Sequence, residues 1–406
     1  VLAGPNGQGL ISTRVSMCAQ IVAPFPPPGP ISMVSQSGNI GSSFMNYGVL
    51  TGVGFSKGIS CGNSAQLELA DFLEYYASDP ETTCTLAYLE GMKEILDGSG
   101  ELDEVLLGGL VEGTFMNPEF HGAHNPDWVL PPDPGVLDQL LSTGAVAMIN
   151  IAPETTPEAV GLIAEAASRG VVVGCGHARP HAECLREAIE AGLSYVIHLG
   201  NGPTGSSLKV FNDGGLLEEC LRNDELMATL IVDGYHLHPE LVRDWVSRKE
   251  ISRSIGISDA GFGTGAPTEP FELCGMRGEP AEGGAYLRVV RSREEIEAAA
   301  RTSDAGALFG AAIGMREVFE NLLNLFSVEM RGVNIRTHPA LSMEDSIAAA
   351  AAMCSSNPAR LLSIEDRGAL VERARGDIVL LEISGEPGSF EVRVRETISA
   401  GHVSGT

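Results

Sequence analysis

"VVVGCGHARPHAECLREAIEAGLSYVIHLGNG", residues 171–202, holds one complete unit of a fold. The apolar run Val171–Gly176 reads as a buried strand and leads to His177. Residues 179–191 have the spacing of an amphipathic helix, and Ser194–His198 reads as a second strand that carries His198. Strand, helix and strand in that order predict parallel strands joined by a crossover. Both strands put a histidine at the same end of the sheet.

The pattern repeats on both sides. Strands are expected at Val105–Glu112, Ala145–Ala152, Met227–Val232 and Ile255–Ser258, with helices at 156–169 and 239–249 between them. Six strands with crossover helices make most of a (β/α) barrel, continued by helices at 311–326 and 343–356. Residues 268–292 have a turn-rich, hairpin-like composition. Residues 376–403 alternate at period two and predict a small antiparallel β unit.

Polar residues close these strands at the end where barrel enzymes place their chemistry. Glu112 ends the first, His177 follows the third, and His198 ends the fourth. Asp233 and His236 follow the fifth, and Asp259 the sixth. One such histidine alone is more often a satisfied surface or core residue than a ligand, and Asp259 alone reads equally well as a helix cap. Five such strand ends on one sheet point to a site. A Glu with two His is a donor set for a catalytic divalent ion with one position left open, which would activate water. Asp259 is then the candidate general base, and later the acid for a leaving amine. His124 and His236 remain for a substrate. Zinc suits the donors best, and iron, manganese and cobalt also suit them.

From about Gly100 onward the sequence resembles the N-acetylglucosamine-6-phosphate deacetylases of the amidohydrolase superfamily. The carriers are "VEGTFMNPEFHGAHNPDWVLPPD", "INIAPE", the quoted 171–202 stretch, "LIVDGYHLHPELVRDW", "IGISDAG" and "SSNPARLLSI". The 21-residue step from His177 to His198 matches the family's two metal histidines. The resemblance implies Glu112, His177 and His198 as metal ligands and Asp259 as the catalytic carboxylate. It implies His124, His236 and Asn201 as substrate contacts, and Lys209 stands roughly where the family has an Arg that meets the substrate phosphate. His121 has no family counterpart and is expected to be a solvated loop residue. The implied reaction is release of acetate from N-acetylglucosamine-6-phosphate or a related N-acyl amino sugar, in a homodimer. The family's usual Glu-Gly-Pro is Glu112-Gly113-Thr114 here, and no His precedes His121, so the family's first strand with its His-x-His pair has no counterpart.

Residues 31–90 alternate strand and helix on a smaller scale. "ISMVSQ", "GFSKGISCG" and "TCTLAYLEG" read as strands, and "SGNIGSSFMNYGVLTGV" and "AQLELADFLEYYASDP" as helices, giving βαβαβ. Residues 1–92 resemble part of the nucleotide-dependent acyl-CoA synthetases related to the succinyl-CoA synthetase α chain. Ser37, Gly38 and Asn39 lie at a strand-to-helix turn that suits an anion, although a plain glycine turn explains it as well. Glu90 matches a Glu that supports the family's phosphorylated His, which this chain lacks, so no ligase activity is expected. "GISCG" at 58–62 fits a nucleophile elbow but has no triad partners, and "GPNGQG" lacks the Lys-Ser/Thr of a phosphate loop.

The expected architecture is therefore α/β. A partial flavodoxin-like βαβαβ segment spans residues 1–95, an amidohydrolase-type TIM-like barrel lacking its first strands spans 100–365, and a small β domain spans 366–406. Both resemblances stop mid-domain near the polar stretch 92–101. A metal-dependent deacetylase, a CoA- or phosphate-binding segment of the synthetase type, and an inactive truncated fusion all remain open readings.

Composition narrows the partners. The formal charge is −27, spread along 406 residues, which disfavours nucleic acid and anionic membrane surfaces. No apolar run is long enough to span a bilayer and no signal peptide is visible. The chain opens on Val rather than Met, so the native N-terminus is expected to lie upstream. Eight cysteines form no CxxC pair, which fits reduced thiols in a cytoplasm.

Overall fold

The structure, a computed structural model, describes residues 8–20, 25–35, 38–61, 67, 72, 75–76, 79–82, 84–87, 106–201, 214–260, 270–273, 276–281, 284–290, 308–332 and 336–403. Two compact units emerge. One comprises Val1–Val111, Gly135–Met148 and Gly265–Val290, the other Glu112–Pro134, Ile149–Thr264 and Arg291–Thr406.

The first unit contains a sheet of β1 (Gly9–Ser12), β2 (Met17–Gln20), β3 (Pro28–Ser35), β4 (Phe55–Ser60) and β5 (Cys84–Ala87) in the order β2-β1-β4-β3-β5. β3 pairs in parallel with both β4 and β5, as the βαβαβ reading requires. Helix α1 (Gly38–Thr51) is the crossover between β3 and β4. Ile11, Ile31, Met33, Met45 and Phe55 form its core. The β1–β2 hairpin lies before the stretch read as βαβαβ and extends its sheet, with β1 antiparallel to β4. Each hairpin strand is only four residues long, too short to show a period, and the turn between them depends on Ser16 at φ 53°. Most of the helix expected at 65–80, the polar stretch 92–101, Glu90 and Ser37 lie outside the described residues.

The second sheet has six strands: β6 (Gly109–Phe115), β7 (Val146–Ile151), β8 (Val172–Cys175), β9 (Leu193–Val196), β10 (Met227–Ile231) and β11 (Ser254–Ile257). They lie side by side in chain order, and the β8–β9, β9–β10 and β10–β11 pairs are parallel. Helices α2 (Pro134–Ser142), α3 (Ala159–Ser168), α4 (Ala182–Glu190), α5 (Leu216–Arg222) and α6 (Pro239–Lys249) fill the five crossovers. β10 is buried at every residue, the mark of a parallel strand covered on both faces. α6 starts where the sequence places it: His238 caps the Glu240 amide and Pro239 occupies the first turn. Just beyond β11, Ala260 forms an isolated parallel bridge with Ala311.

β6 departs from expectation. The run was predicted to end on Glu112, yet the strand continues to Phe115. Phe115 is fully buried, its carbonyl accepts from the Ala152 amide, and the Thr114 carbonyl accepts from Leu130. Pairing with neighbouring segments extends the strand beyond the point where apolar character stops. Glu112 is thus a mid-strand residue.

Smaller elements complete the chain. β12 (Phe271–Leu273), β13 (Met276–Ala281) and β14 (Tyr286–Val289) form an antiparallel meander where a hairpin-like composition was read. Helix α7 (Met315–Phe326), the short pair β15 (Met330–Arg331) and β16 (Thr337–His338), α8 (Met343–Ala351) and α9 (Asn357–Leu361) follow. The last sheet, β17 (Ile378–Ser384), β18 (Glu391–Ser399) and β19 (His402–Val403), is antiparallel as expected. It packs on α7 through Leu323, Phe390 and Val392.

Candidate metal centre

The second, third and fourth strands of this site reach it by the same local device. His177 stands two residues beyond β8, His198 two beyond β9, and Asp259 two beyond β11. All three have left-handed backbones, with φ of 49°, 32° and 51°. A non-glycine residue in that region costs about 1–3 kcal/mol and persists only where its surroundings enforce it. The enforcing contacts are present at the two histidines. The Asn117 amide donates to His177 O at 2.9 Å, and the His198 amide donates to Thr229 Oγ1 at 2.7 Å. Asn201 donates to His198 O through both its backbone amide and its side chain. The Asp259 carbonyl accepts from the Ala311 amide.

These turns bring three side chains together. Glu112 Oε1 lies 3.0 Å from His198 Nε2 and 3.2 Å from His177 Nε2, and the two Nε2 atoms are 3.1 Å apart. His177 Nδ1 donates to the Phe120 carbonyl at 2.7 Å, an arrangement that leaves Nε2 facing the cluster as the atom that would bind a metal. Three electron-pair donors at this spacing suit one cation. A tetrahedral ion with bonds of about 2.0 Å has ligand–ligand edges of about 3.3 Å. Among the described residues, Glu112, His177 and His198 are the group of acidic, histidine or cysteine side chains close enough to hold a metal ion. Glu112 keeps 23% of its side-chain surface exposed, against 10% for His177 and 4% for His198, so the cluster opens on the carboxylate's side.

The electrostatics agree. Enclosure by protein would raise the Glu112 carboxyl, but the adjoining His177 and His198 outweigh it and hold the group well below the usual range. Burial would lower His198, but Glu112 and then Asp259 push it up instead. The Asp259 charge is therefore felt at the cluster.

His124 packs edge-on against His177, with ring centroids 5.0 Å apart, and its ring lies over Gly113, next to Glu112. Burial first, and the neighbouring His177 second, lower its pKa. His121 is a partly buried brace, not the solvated residue expected. His121 Nδ1 donates to His124 O at 2.7 Å, and His124 Nδ1 donates to His121 O at 3.1 Å. The close turn between the two rings made this pairing invisible to motif matching. His236 Nδ1 pairs with Asp233 Oδ2 at 2.6 Å, and Asp233 Oδ1 accepts the Tyr235 and His236 amides. Burial would raise the Asp233 carboxyl, but His236 lowers it. Lys209 lies outside the described residues, while Gly38 and Asn39 open the first turn of α1.

Three supporting residues escaped the sequence reading. Asn150 is fully buried and donates from Nδ2 to Gly176 O at 3.1 Å and toward Glu112 O at 3.4 Å. Thr229 holds His198, as above. Glu154 receives Asn117 Nδ2 and the Arg179 amide on one oxygen. "INIAPE", which contains both Asn150 and Glu154, was the available signal.

The model of the "Succinyl-CoA ligase like flavodoxin domain" family matches residues 28–97. The ADP-forming acetate–CoA ligase of Methanocaldococcus jannaschii is 37% identical over 93 residues, 23% of this chain and 13% of that protein. The N-acetylglucosamine-6-phosphate deacetylase of Lysinibacillus sphaericus is 26% identical over 310 residues, 75% of this chain and 68% of that protein. The crystal structure of N-acetyl-D-glucosamine-6-phosphate deacetylase from Mycobacterium smegmatis shares the fold, with a TM-score of 0.62 at 24% identity, covering 78% of this chain and 72% of that one. Over most of its length the chain is thus similar to N-acetylglucosamine-6-phosphate deacetylases, and its N-terminal segment to the flavodoxin-like domain of ADP-forming acetate–CoA ligases.

Proposed function

We propose that this chain hydrolyses the N-acetyl amide of an amino sugar, N-acetylglucosamine-6-phosphate or a close relative, and releases acetate. The observation that carries the reading is the convergence of Glu112, His177 and His198 within hydrogen-bonding distance. The similarity to deacetylases named for that substrate supports it.

Glu112, His177 and His198 would hold one divalent ion, zinc foremost, with iron, manganese and cobalt also compatible. When bound, the ion supplies Lewis acidity, polarising an amide carbonyl and bringing the pKa of water toward neutrality. Asp259 takes a proton from the attacking water and returns it to the departing sugar nitrogen, which leaves as the free amine beside acetate. His124 has its Nδ1 proton committed to His121 O, so its Nε2 is an acceptor for a sugar hydroxyl. His236, held by Asp233, and Asn201 complete the sugar contacts. Lys209 meets a phosphate as a point charge rather than a fork.

The same reading takes the six-stranded sheet as part of a (β/α) barrel lacking its first strands. It divides the chain at 1–95, 100–365 and 366–406. It places a homodimer in a reducing cytoplasm, consistent with free thiols at Cys18, Cys61, Cys175, Cys184, Cys220 and Cys354. Acetate release from N-acetylglucosamine-6-phosphate and its unphosphorylated form tests activity and phosphate preference together. A metal-loaded protein that cleaves neither contradicts the proposal.

A second reading rests on the match over residues 28–97. In it the first unit binds CoA or phosphate, with Gly38 and Asn39 at the start of α1, and Ser37 before them in sequence, as the anion contact. Calorimetry with CoA and with inorganic phosphate decides it: heat of binding supports the reading, and none removes it.

A further inference from the structure

Glu154 follows β7, the strand between those that carry Glu112 and lead to His177, and it belongs to no ligand set. Its Oε1 accepts Asn117 Nδ2 at 2.9 Å and the Arg179 amide at 2.6 Å. Its Oε2 is buried without a hydrogen-bond partner. Glu154 is half-buried, and a carboxylate oxygen enclosed without a partner is costly to keep. Packing alone gives no reason for it, since an apolar side chain would fill the space without that cost.

Its partners explain its place. Asn117 is the cap of the 3-10 turn Pro118–Phe120, and its Oδ1 accepts the Glu119 amide. That contact fixes which end of the amide faces Glu154. The same turn makes two contacts with His177. The Asn117 amide donates to His177 O, and the Phe120 carbonyl receives the His177 Nδ1 proton. Arg179 lies two residues beyond His177, so Glu154 grips both sides of the left-handed turn.

We propose that Glu154 is a positioning residue for the metal-binding face of His177, acting through Asn117 and the Phe120 carbonyl. It keeps the proton on Nδ1 and the Nε2 lone pair directed at the cluster. Groups that orient ligating histidines typically change metal affinity 10–100-fold when removed. The inference rests on the metal site proposed above and adds Glu154 to it.

The test is equilibrium zinc binding and the cobalt(II) absorption spectrum of the full chain, without recourse to activity. Glu154→Ala is expected to weaken zinc binding about 10–100-fold and to alter the cobalt ligand-field bands. Glu154→Gln keeps an acceptor oxygen for both donors and should restore affinity to within about threefold. Asn117→Ala cuts the same link from the other side and should reproduce the Glu154→Ala spectrum. It also serves if Glu154→Ala fails to fold. Parent-like zinc affinity and cobalt spectrum in folded Glu154→Ala or Asn117→Ala overturn the inference and leave the metal site standing. So does a Glu154→Gln protein as impaired as Glu154→Ala. A parent chain that binds no zinc overturns both.

Discussion

His177 Nε2 and His198 Nε2 stand 3.1 Å apart, although the two residues leave different strands and each holds a left-handed backbone. His177 has its proton on the far nitrogen, and Glu112 Oε1 is shared between both rings. A cation shared by these three donors would satisfy all of them at once, where one Nε2–H can serve only one. Zinc at 100 times its dissociation constant should therefore stabilise the fold by about 2.7 kcal/mol. Thermal melts with and without zinc check this, and His198→Ala should abolish the shift.

Asp259 contributes charge near the cluster without a direct hydrogen bond to it among those described. Asp259→Asn should keep the metal and lower the rate of acetate release about 10²–10⁴-fold, the range expected for loss of general acid–base catalysis. Metal loss together with rate loss would recast Asp259 as a ligand.

Gly174 in β8 faces Tyr195 in β9 with no room to spare. An added Cβ would lie 2.3 Å from Tyr195 Cζ, and Tyr195 is only 1% exposed. Gly174→Ala should cost about 1–3 kcal/mol by overpacking. Urea midpoints check it, and Tyr195→Leu in the Gly174→Ala background should recover part of the loss.

Acid stability has a specific source in the first unit. Lys57 Nζ sits 2.6 Å from Asp79 Oδ2 and 2.9 Å from Glu81 Oε2. Burial would raise the Asp79 carboxyl, but the bonds to Lys57 and Thr82 hold it below its ordinary value. A depressed folded pKa stabilises above the unfolded value, about 3.9, and that contribution fades as pH falls through the folded value. The melting-temperature gap between the parent and Lys57→Met should be full at neutral pH and shrink below about pH 4. A gap that stays constant from pH 7 to 3 would place the effect in packing instead.

The chemistry-bearing residues were legible because each interrupts or follows an apolar run, and a buried strand tolerates a carboxylate or histidine only at a cost. Glu112, His177 and His198 emerged that way, and the structure brings them together. Strand ends were less legible. β6 runs past Glu112 because neighbouring segments hydrogen-bond it to Phe115, and periodicity within one segment carries no record of its neighbours. The β1–β2 hairpin escaped for the same reason. Asn117 and Thr229 escaped because their contacts with the two histidines are hydrogen bonds between segments that follow or form different strands. His121 is the loop residue expected, but its ring is partly buried against the His124 carbonyl, a contact that the sequence alone does not carry.

The most direct measurement is metal stoichiometry after reconstitution, in the parent and in a His177→Ala/His198→Ala double variant of retained fold. About one divalent ion per chain in the parent, and none in the variant, is the expected result for a single Glu-His-His site. A parent that retains no metal, or a double variant that retains as much as the parent, contradicts the account.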